Sequence, residues 1–413
     1  MNRKIIFCGI SHLSLNYGAV AAKNNYKVIF FDYEKKIKSF FEKNLIIKEP
    51  KLKFYLNKYK DNIKFVSSLD EKIKNTLIFV AIDIKTNNRN QSNYKYINKL
   101  IEYLTCKNFL RKNPLIIKSQ VKPGFTRKIN WPKKLLYYQV ETLIFGNAID
   151  RAEYPERIIF GSHDGKLKIE KNYLSYLKKF KCPIINMKYE EAELSKMYIN
   201  AYLVNDLILT NILSTISKKK NLDWSVSSKA LKLDKRIGKY AYLEPGLGIS
   251  GGNLERDIIN LSLISKKLKI NTKLFDVFIN ESEARKSWIS KNIKKFQKDK
   301  LIKSKSKIGL IGLTYKINTN SIKNSPSFDV IKNLYGHKVW CYDKNLYGQT
   351  LENYQIQWLD LIEIVKNVDI LFIMHRYSQL KYIKLNKNLK LIFDPYKILN
   401  KIKIKNKVRY ITL

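Results

Sequence analysis

The first pattern that could carry chemistry is a glycine turn between a short apolar run and a helical stretch. Residues 9–14 read GISHLS, and Asp32 closes the next apolar run. In a dinucleotide fingerprint of this layout, the helix N-terminus holds the pyrophosphate and the acid binds the ribose hydroxyls. Ser11 and Ser14 replace two of the usual glycines. Two interpretations therefore remain. The turn either has this shape without binding a cofactor, or it is part of a cofactor site formed by Gly9, Ser11, His12, Leu13 and Asp32.

A second set of polar residues recurs at helical spacing. Glu193, Lys196 and Asn200 share one face of the helix predicted from about residue 190 to residue 218. A lysine with a lowered pKa can accept the proton of an alcohol during hydride transfer, and an amide can orient water or an oxyanion. The alternative is a solvated lysine on an exposed helix face, because lysine is abundant throughout this chain.

These residues need a scaffold that holds them. In the first half, apolar runs typical of parallel βαβ strands occur at residues 4–8, 27–31, 77–82 and 115–118. A helical middle extends to about residue 300. A second set of strands is predicted at residues 308–311, 338–342, 369–374 and 390–393. The predicted fold is α/β, with two Rossmann-like doubly wound lobes joined by a central helical domain.

Composition narrows the function. The 413 residues include 79 basic and 35 acidic side chains, a formal charge of +44. The lysines occur in every segment, so a dedicated nucleic-acid surface is not favoured, although the field would attract nucleotide diphosphates. The four cysteines and four histidines are scattered, so we predict neither a disulfide framework nor a metal site. The chain shows no pattern of a transmembrane helix or signal peptide, and we expect a cytoplasmic protein.

Five segments together resemble motifs of the UDP-glucose/GDP-mannose dehydrogenase family, in the family's order. Residues 118–124 (KSQVKPG) resemble its KSTVPVG loop, and residues 154–162 (YPERIIFGS) resemble its NPDRIVIGS. Residues 193–202 (ELSKMYINAY) resemble its ELSKLAANAF helix, and residues 233–238 (LDKRIG) resemble its LDxRIG. GLTYKINT from residue 312, followed by SPS from residue 325, resembles GLAFKPNT…SPS. The ordered set is specific, although no single match decides.

The resemblance implies three domains. These are an NAD-binding domain at residues 1–185, a central helical dimerisation domain at 186–300 and a C-terminal UDP-sugar-binding domain at 306–413. Members of the family oxidise the C6 alcohol of a nucleotide sugar to a carboxylate in two hydride transfers, and a cysteine traps the aldehyde and carries the thioester. The resemblance therefore implies NAD as cofactor, a UDP- or GDP-sugar as substrate and a homodimer.

One departure from the family concerns that cysteine. Residues 245–257 (PGLGISGGNLERD) align without a gap on PGPGYGGSCFPKD, so Asn253 takes the cysteine's position and Asp257 the position of a family acid. A carboxamide cannot form a thioester, because covalent catalysis needs an activated nucleophile. We therefore expect oxidation to stop after one two-electron step, as in β-hydroxyacid dehydrogenases, whose Lys…Asn helix pair is similar to Lys196 and Asn200.

Other matched positions supply the remaining candidates. Residues 139–146 (QVETLIFG) match the family's NPEFLREG, so Glu141 is kept and Phe145 replaces the second acid. Gln120 replaces the threonine of the KST loop, and Ser119 and Gln120 are expected beside the cofactor. An arginine can bind a pyrophosphate, and the alternative for the basic residues is ordinary surface charge. A glycine lets the backbone approach a ligand closely, and the alternative for the glycines is a flexible turn. The expected sugar-nucleotide contacts are Arg236, Gly248, Gly251 and Lys316.

Two functions of different classes follow. The first is an NAD-dependent oxidoreductase similar to UDP-glucose 6-dehydrogenases, which would serve polysaccharide precursor synthesis. The second is a non-catalytic homologue that binds nucleotide sugars as a partner or regulator, and the serines of the turn together with Asn253 favour it. A nucleic-acid-binding role lacks any recognition motif.

Overall fold

The chain forms two compact units. A computed structural model describes residues 3–42, 49–87, 91–351, 354, 356–399, 404 and 407–413. The units are Met1–Ile199 and Asn200–Leu413. Their boundary lies inside one long helix.

The first unit is built on an eight-stranded sheet. Its strands are β1 (Lys4–Cys8), β2 (Lys27–Phe31), β3 (Ile63–Val66), β4 (Thr76–Val80), β5 (Leu115–Ile117), β6 (Leu136–Gln139), β7 (Ile158–Ser162) and β8 (Ile184–Lys188). Its helices are α1 (His12–Lys23), α2 (Glu34–Glu42), α3 (Leu52–Lys58), α4 (Lys95–Thr105), α5 (Ala148–Glu153) and α6 (Lys171–Lys178). The strand order is β3-β2-β1-β4-β5-β6-β7-β8, and only the β6–β7 pair is antiparallel.

The apolar character of β1 explains its central place in this sheet. Ile5 and Phe7 lie in the core on one face, and Ile6 and Cys8 lie in the core on the other. Side chains alternate along a strand, so a parallel strand that is covered on both faces needs a continuous apolar run. The order of the first six strands is that of dinucleotide-binding folds, which bind ligands where the order reverses, here between β1 and β4.

The helix α7 (Tyr189–Lys219) leads from the first unit into the second. The second unit continues with the helices α8 (Trp224–Leu233), α9 (Asn253–Lys267), α10 (Lys273–Lys298), α11 (Ser327–Asn333) and α12 (Leu361–Asn367). Its strands are β9 (Ile308–Ile311), β10 (Val339–Tyr342), β11 (Gln357–Trp358), β12 (Ile370–Ile373), β13 (Leu391–Phe393) and β14 (Arg409–Ile411). They form a six-stranded parallel sheet in the order β11-β10-β9-β12-β13-β14.

The α7 helix is the one described helix that is long and apolar enough to cross a membrane, by length and composition alone. Of its most apolar window, 33% is buried within the protein. A core helix of a soluble protein passes the same test, so this property is weak evidence for a membrane.

The predicted fold class is confirmed. The strands at residues 4–8, 27–31 and 308–311 match β1, β2 and β9, and the helix predicted from residue 190 matches α7. The prediction did not include β3, β6, β7, β8, β11 and β14. The six-stranded sheet repeats the order of the first six strands of the other sheet, a closer likeness than the common βα rhythm seen in the sequence. The boundaries of the three domains stay a prediction.

A glycine inside α1 tests the packing of helix on sheet. A Cβ atom on Gly18 would lie 2.2 Å from Cζ of Phe30, which is fully buried in β2. We expect Gly18→Ala to lower the free energy of unfolding by about 1–3 kcal/mol, because overpacking outweighs the better helix propensity of alanine. Urea unfolding measures the change. Gly246→Ala is the control, since nothing lies within 4 Å of a Cβ there. Equal stabilities of the two variants would contradict the packing.

Candidate active site

The turn from β1 to α1 depends on Gly9. Its φ is +91°, and a Cβ atom there would lie 2.0 Å from Cγ2 of Ile82. Only glycine combines this backbone conformation with so close an approach. The N–H of Gly9 donates to the carbonyl of Phe31 at 2.8 Å, which ties the turn to the end of β2.

The two serines of the turn serve the helix end. Ser11 is the N-cap of α1, and its hydroxyl donates to the carbonyl of Ala81 at 2.9 Å and accepts from the N–H of Ser14. The hydroxyl of Ser14 accepts from the N–H of Ser11 at 2.9 Å. The side chain of Ser11 is therefore engaged with the protein. The next two N–H groups of the helix, those of His12 and Leu13, face the carboxylate of Asp83.

His12 begins α1 and is buried. Its Nε2 lies 2.8 Å from Oε2 of Glu49, and its ring stacks on Phe145 with 4.2 Å between the centroids. Glu49 also accepts from the N–H groups of Gly146 and Ala148, at 3.0 and 2.8 Å. Phe145 thus forms an apolar cover over the imidazole.

Asp32 follows β2 and is fully buried. Its carboxylate accepts from the N–H groups of Ile10 and Tyr33, both at 2.7 Å, and from the hydroxyl of Tyr96. Asp32, the predicted partner of the ribose, thus already accepts hydrogen bonds from three donors of the protein. It fixes the glycine turn whether or not a ribose is present.

A buried charged cluster lies at residues 118, 141 and 196. Nζ of Lys196 is 3.1 Å from Oε1 of Glu141, and both side chains are 12% exposed. Burial alone would raise the pKa of Glu141, but the charge and hydrogen bond of Lys196 and the N–H of Leu143 hold it below its usual value. Lys118 is 1% exposed, and its ammonium lies 3.8 Å from the centroid of the Tyr17 ring. Burial lowers the pKa of Lys118 to about 7, although the charge of Glu141 opposes this.

The loop after Lys118 is anchored at both ends. Ser119 is fully buried, and its hydroxyl accepts from the N–H of Ile82 at 2.8 Å. Gln120 is buried beside it. Glu193 accepts from the N–H groups of Gly124 and Thr126 at 2.6 and 2.9 Å. Burial raises the pKa of Glu193 to about 7, against the effect of these hydrogen bonds. Glu193 therefore holds the loop in place.

Asn200 and Asp257 meet in the second unit. Nδ2 of Asn200 donates to Oδ2 of Asp257 at 2.5 Å, and both residues are buried. Nε of Arg256, which is also buried, lies 3.1 Å from the other oxygen of Asp257. Burying a carboxylate is costly unless it is paired in this way. The structure thus joins α7 to the first turns of α9.

Asn253 is the first residue of α9 and is exposed. Two glycines of the preceding loop need positive φ, +91° at Gly248 and +78° at Gly251. A Cβ atom on Gly248 would lie 2.7 Å from the carbonyl oxygen of Ser282, and one on Gly251 would lie 3.0 Å from the Tyr315 ring. Gly248 and Gly251 are therefore closely packed against the rest of the second unit.

The two basic candidates for the sugar nucleotide differ in setting. Arg236 has a side chain that is 89% exposed, and its guanidinium pairs with Asp234 at 2.6 Å. Lys316 is partly buried, and its Nζ lies 5.7 Å from the centroid of the Tyr315 ring.

None of the cysteines lies in the glycine loop or in α9. Cys341, the one cysteine of the second unit, is buried in β10, and burial raises the pKa of its thiol to about 12. Cys8 is buried in β1, and burial raises its thiol pKa still further. A thiol must ionise to act as a nucleophile, so both are inert. In the described parts of the chain, no group of three or more His, Cys, Asp or Glu residues could hold a metal ion.

Models of a known protein family match most of the chain. Three family models match in order: the NAD binding domain at residues 3–177, the central domain at 190–282 and the UDP binding domain at 309–401. All three describe the same family. The chain belongs to the UDP-glucose/GDP-mannose dehydrogenase family.

Relatives with this dehydrogenase fold are found in several organisms. A UDP-glucose 6-dehydrogenase of Rickettsia bellii is 28% identical over 95% of this chain and 93% of its own length. One from Campylobacter jejuni is 29% identical over 80% of this chain and 83% of its own. A UDP-glucose dehydrogenase structure from Pyrobaculum islandicum superposes with a TM-score of 0.81 at 20% identity, covering 99% of this chain and 97% of that one.

NAD is the cofactor of this family of dehydrogenases, which act on a CH–OH group of a nucleotide sugar. The first unit fits a dinucleotide in three respects: the bare backbone of Gly9, the inward hydroxyl of Ser11 and the N–H groups of His12 and Leu13 at the start of α1. One group conflicts with the fit, because the carboxylate of Asp83 faces those two N–H groups.

Sequence reasoning did not find several residues of this dehydrogenase site. Glu49 and Asp83 come close to His12 only through the fold, and neither belongs to a matched motif. Arg256, which pairs with Asp257, had no role assigned to it. Lys118 had a signal, because a lysine that ends an apolar strand run is unusual in a buried sheet.

Lys118 makes stability depend on pH. Its pKa of about 7 in the folded chain is well below the value of about 10.4 in an unfolded chain, so the fold disfavours the charged form. This cost is absent above about pH 10.4, grows as the pH falls to about 7 and is constant below. We expect Lys118→Met to raise the free energy of unfolding by at least about 1 kcal/mol at neutral pH, with the gain fading towards about pH 10. Urea unfolding across this range measures it.

The matched control is Lys112→Met, because Lys112 is exposed in the same part of the sequence. It should change stability little at any pH. A gain for Lys118→Met that stayed the same across the pH range would show that Lys118 carries no such cost.

Proposed function

We propose that the protein is an NAD-dependent oxidoreductase of the UDP-glucose 6-dehydrogenase type that carries out one two-electron oxidation of a nucleotide sugar. The observation that supports this most is the buried ion pair of Lys196 and Glu141, in a chain that has all three family domains. The product, a nucleotide sugar with a carbonyl group, would serve as a precursor in polysaccharide synthesis.

Lys196 and Glu141 act together as the proton acceptor. Bound NAD supplies the hydride acceptor. Lys196 first releases a proton to solvent, and its amine then takes the proton of the sugar hydroxyl as the hydride leaves the carbon that bears it. The carboxylate of Glu141, 3.1 Å from Nζ, stabilises the ammonium that forms. The result is a carbonyl group and a charged Lys196 that is again paired with Glu141.

Asn200 and Asp257 act as positioning residues for the same reaction. Their hydrogen bond and the neighbouring Arg256 fix the amide of Asn200, so that its oxygen has one orientation. An amide that is held in this way can orient a water or the sugar hydroxyl. Lys196 and Asn200 are one helical turn apart on α7, so a single helix carries both functions.

Asn253 limits the reaction to two electrons. It stands at the position of the family nucleophile, and its carboxamide forms neither a thiohemiacetal nor a thioester. The four cysteines of the chain lie outside the loop that would need one. The aldehyde is therefore released rather than oxidised to the acid.

The sugar nucleotide is a UDP-sugar, held by the C-terminal domain and the glycine loop. The family model names a UDP binding domain at residues 309–401, and the curated relatives described above are UDP-glucose 6-dehydrogenases. Gly248 and Gly251 give the loop its tight turns through their positive φ, and Lys316 supplies positive charge beside Tyr315, which packs on Gly251.

The working form is a homodimer that assembles through the central helices. Leu209, Ile212 and Ile216 are exposed along one stripe of α7, and Val226 and Leu233 are exposed on α8. An apolar surface of this kind is typical of an interface. Arg236 follows α8 with a side chain that is 89% exposed, where it can reach the nucleotide of a second copy. We place the dimer in the cytoplasm and divide each chain at residues 185 and 300.

A specific observation favours the second function, a non-catalytic partner or regulator that binds nucleotide sugars. Phe145 takes the place of a family acid and packs on His12 at the start of α1, while Asp83 faces the N–H groups there. Both side chains weaken the cofactor site of the first unit.

Lys196→Met tests the proton acceptor. We expect the purified chain to form NADH and an aldehyde from NAD and UDP-glucose or a related UDP-sugar, measured by absorbance and aldehyde trapping. Lys196→Met should slow this by about a hundredfold or more, because general acid–base groups contribute that much. Binding of the UDP-sugar should persist.

Lys219→Met is the control, since this exposed lysine ends the same helix. It should keep the full rate. An unchanged rate for Lys196→Met would remove Lys196 from the reaction. UDP-sugar binding without NADH formation by the unaltered chain would favour the non-catalytic function.

Asn253→Cys tests the stopping point. A thiol at this position should capture the aldehyde, so the yield should rise from one NADH with aldehyde to two NADH with acid for each sugar. Mass spectrometry of the product, together with the NADH count, measures this. Lys266→Cys, exposed at the other end of α9, is the control and should leave the product an aldehyde. Acid formation by the unaltered chain would contradict the two-electron limit.

A further inference from the structure

The chain between β4 and β5 passes over the start of α1. Ala81 accepts from the hydroxyl of Ser11 at 2.9 Å, and the N–H of Ile82 donates to the hydroxyl of Ser119 at 2.8 Å. Ala81, Ile82 and Ile84 are buried, whereas Asp83 between them is exposed. The backbone before Asp83 is therefore anchored to the turn and to Ser119, and the buried Ile84 follows it, which keeps Asp83 beside the start of α1.

The carboxylate of Asp83 faces the N–H groups of His12 and Leu13. These are the first two residues of α1, whose N–H groups have no partner within the helix. The helix dipole adds attraction for a negative charge at the same point. In a dinucleotide-binding turn, these groups hold the pyrophosphate. An internal anion thus stands at the place where the anion of the cofactor would bind.

Several charged groups surround this carboxylate. His12, paired with Glu49, approaches from α1, and Glu141, paired with Lys196, approaches from the segment after β6. Surrounding protein raises the pKa of Asp83 by partial desolvation, which remains although the residue is open to solvent on one side. The charge of Glu141 raises it further, whereas His12 and the N–H groups of Leu13 and His12 lower it.

We propose that Asp83 is a built-in competitor of the cofactor: it occupies the pyrophosphate position, and NAD binds only after the carboxylate leaves or is neutralised. This inference rests on the proposed NAD-dependent function. The residue that weakens cofactor binding is then Asp83, which lies outside the glycine fingerprint. The hydroxyls of the two serines, in contrast, are hydrogen-bonded within the protein, to Ala81, Ser11 and Ser14.

The competition sets a direction for the effect of pH. A pyrophosphate close to Asp83 disfavours its charged form, so the pKa of Asp83 in the complex is higher than in the free chain. Binding therefore takes up a proton. Affinity for the cofactor rises as the pH falls from the pKa of the complex towards the lower pKa of the free chain, and is constant above and below these two values.

Titration of the full-length chain with NADH, followed by nucleotide fluorescence from about pH 5 to about pH 8, tests the proposal. Asp83→Asn removes the charge, and Asp83→Gly removes the side chain. We expect each variant to bind NADH about tenfold more tightly near neutral pH, the factor that corresponds to one pKa unit. Each should also lose part of the pH dependence, because the carboxyl group that takes up the proton on binding is gone.

The matched control is Asp61→Asn. Asp61 is exposed directly before β3, at the opposite edge of the parallel sheet from the strand ends that hold the turn. It removes the same charge and should leave the affinity unchanged. If it tightened binding as much as Asp83→Asn, the effect would be one of total charge and the proposal would be wrong.

Two further outcomes separate this inference from the function on which it rests. Equal affinity and equal pH dependence in the unaltered chain and both Asp83 variants would refute the competitor, while NAD use would stand. No NADH binding by any of the three chains would refute both, because removal of the competitor would then have failed to uncover a site. Circular dichroism melting checks that the variants are folded.

Discussion

A buried carboxylate fixes the glycine turn of each Rossmann-like sheet, and the ligand sites depend on it. Asp32 accepts from the N–H of Ile10 at 2.7 Å, and Asp343 accepts from the N–H of Leu313 at 2.9 Å. In each sheet the glycine at the end of the first strand has a positive φ and donates to the last residue of the second strand. The turn can therefore direct backbone N–H groups towards the strand ends, where open α/β sheets bind ligands.

The same device has different surroundings in the two units. At Gly312 a Cβ atom would lie 2.5 Å from the ring of His375, so a side chain of the protein closes the second turn. At Gly9 the close neighbour is Ile82, and the carboxylate of Asp83 lies beyond it at the helix end. A carboxylate thus lies at the first turn and an imidazole at the second. An anionic ligand at the first turn would have to displace that carboxylate.

The central strands could be predicted from the sequence because their signal is local. Residues 4–8 and 27–31 are continuous apolar runs with a glycine or an aspartate after them, and both are strands over those same residues. By contrast, β8 (Ile184–Lys188) is half-buried at the sheet edge, and its mixed sequence shows no strand period. The antiparallel pairing of β7 with β6 has no local signal at all. Edge strands depend on their neighbours, so single-sequence patterns describe them poorly.

The residues of the candidate site also differ in whether a local sequence pattern could predict them. Motif matches brought forward Glu141, Lys196, Asn200 and Asp257, and the structure pairs Glu141 with Lys196 and Asn200 with Asp257. Glu49 reaches His12 from 37 positions away, and no spacing rule predicts such a contact. The motif that contains Lys118 does not predict its burial, because the burial of an ammonium group depends on side chains from several strands.

The buried charges bear on the choice between an enzyme and an inactive homologue. Lys118, the pair of Lys196 with Glu141, and Asp257 with Arg256 all carry charge into the interior. Such groups add little to stability and often cost some, since apolar residues of similar size pack as well without the desolvation penalty. A chain that only bound nucleotide sugars would gain nothing from Lys196 and Glu141 in the cofactor unit. The arrangement is explained if the first oxidation survives and only the step that needs a thiol, at the position of Asn253, is lost.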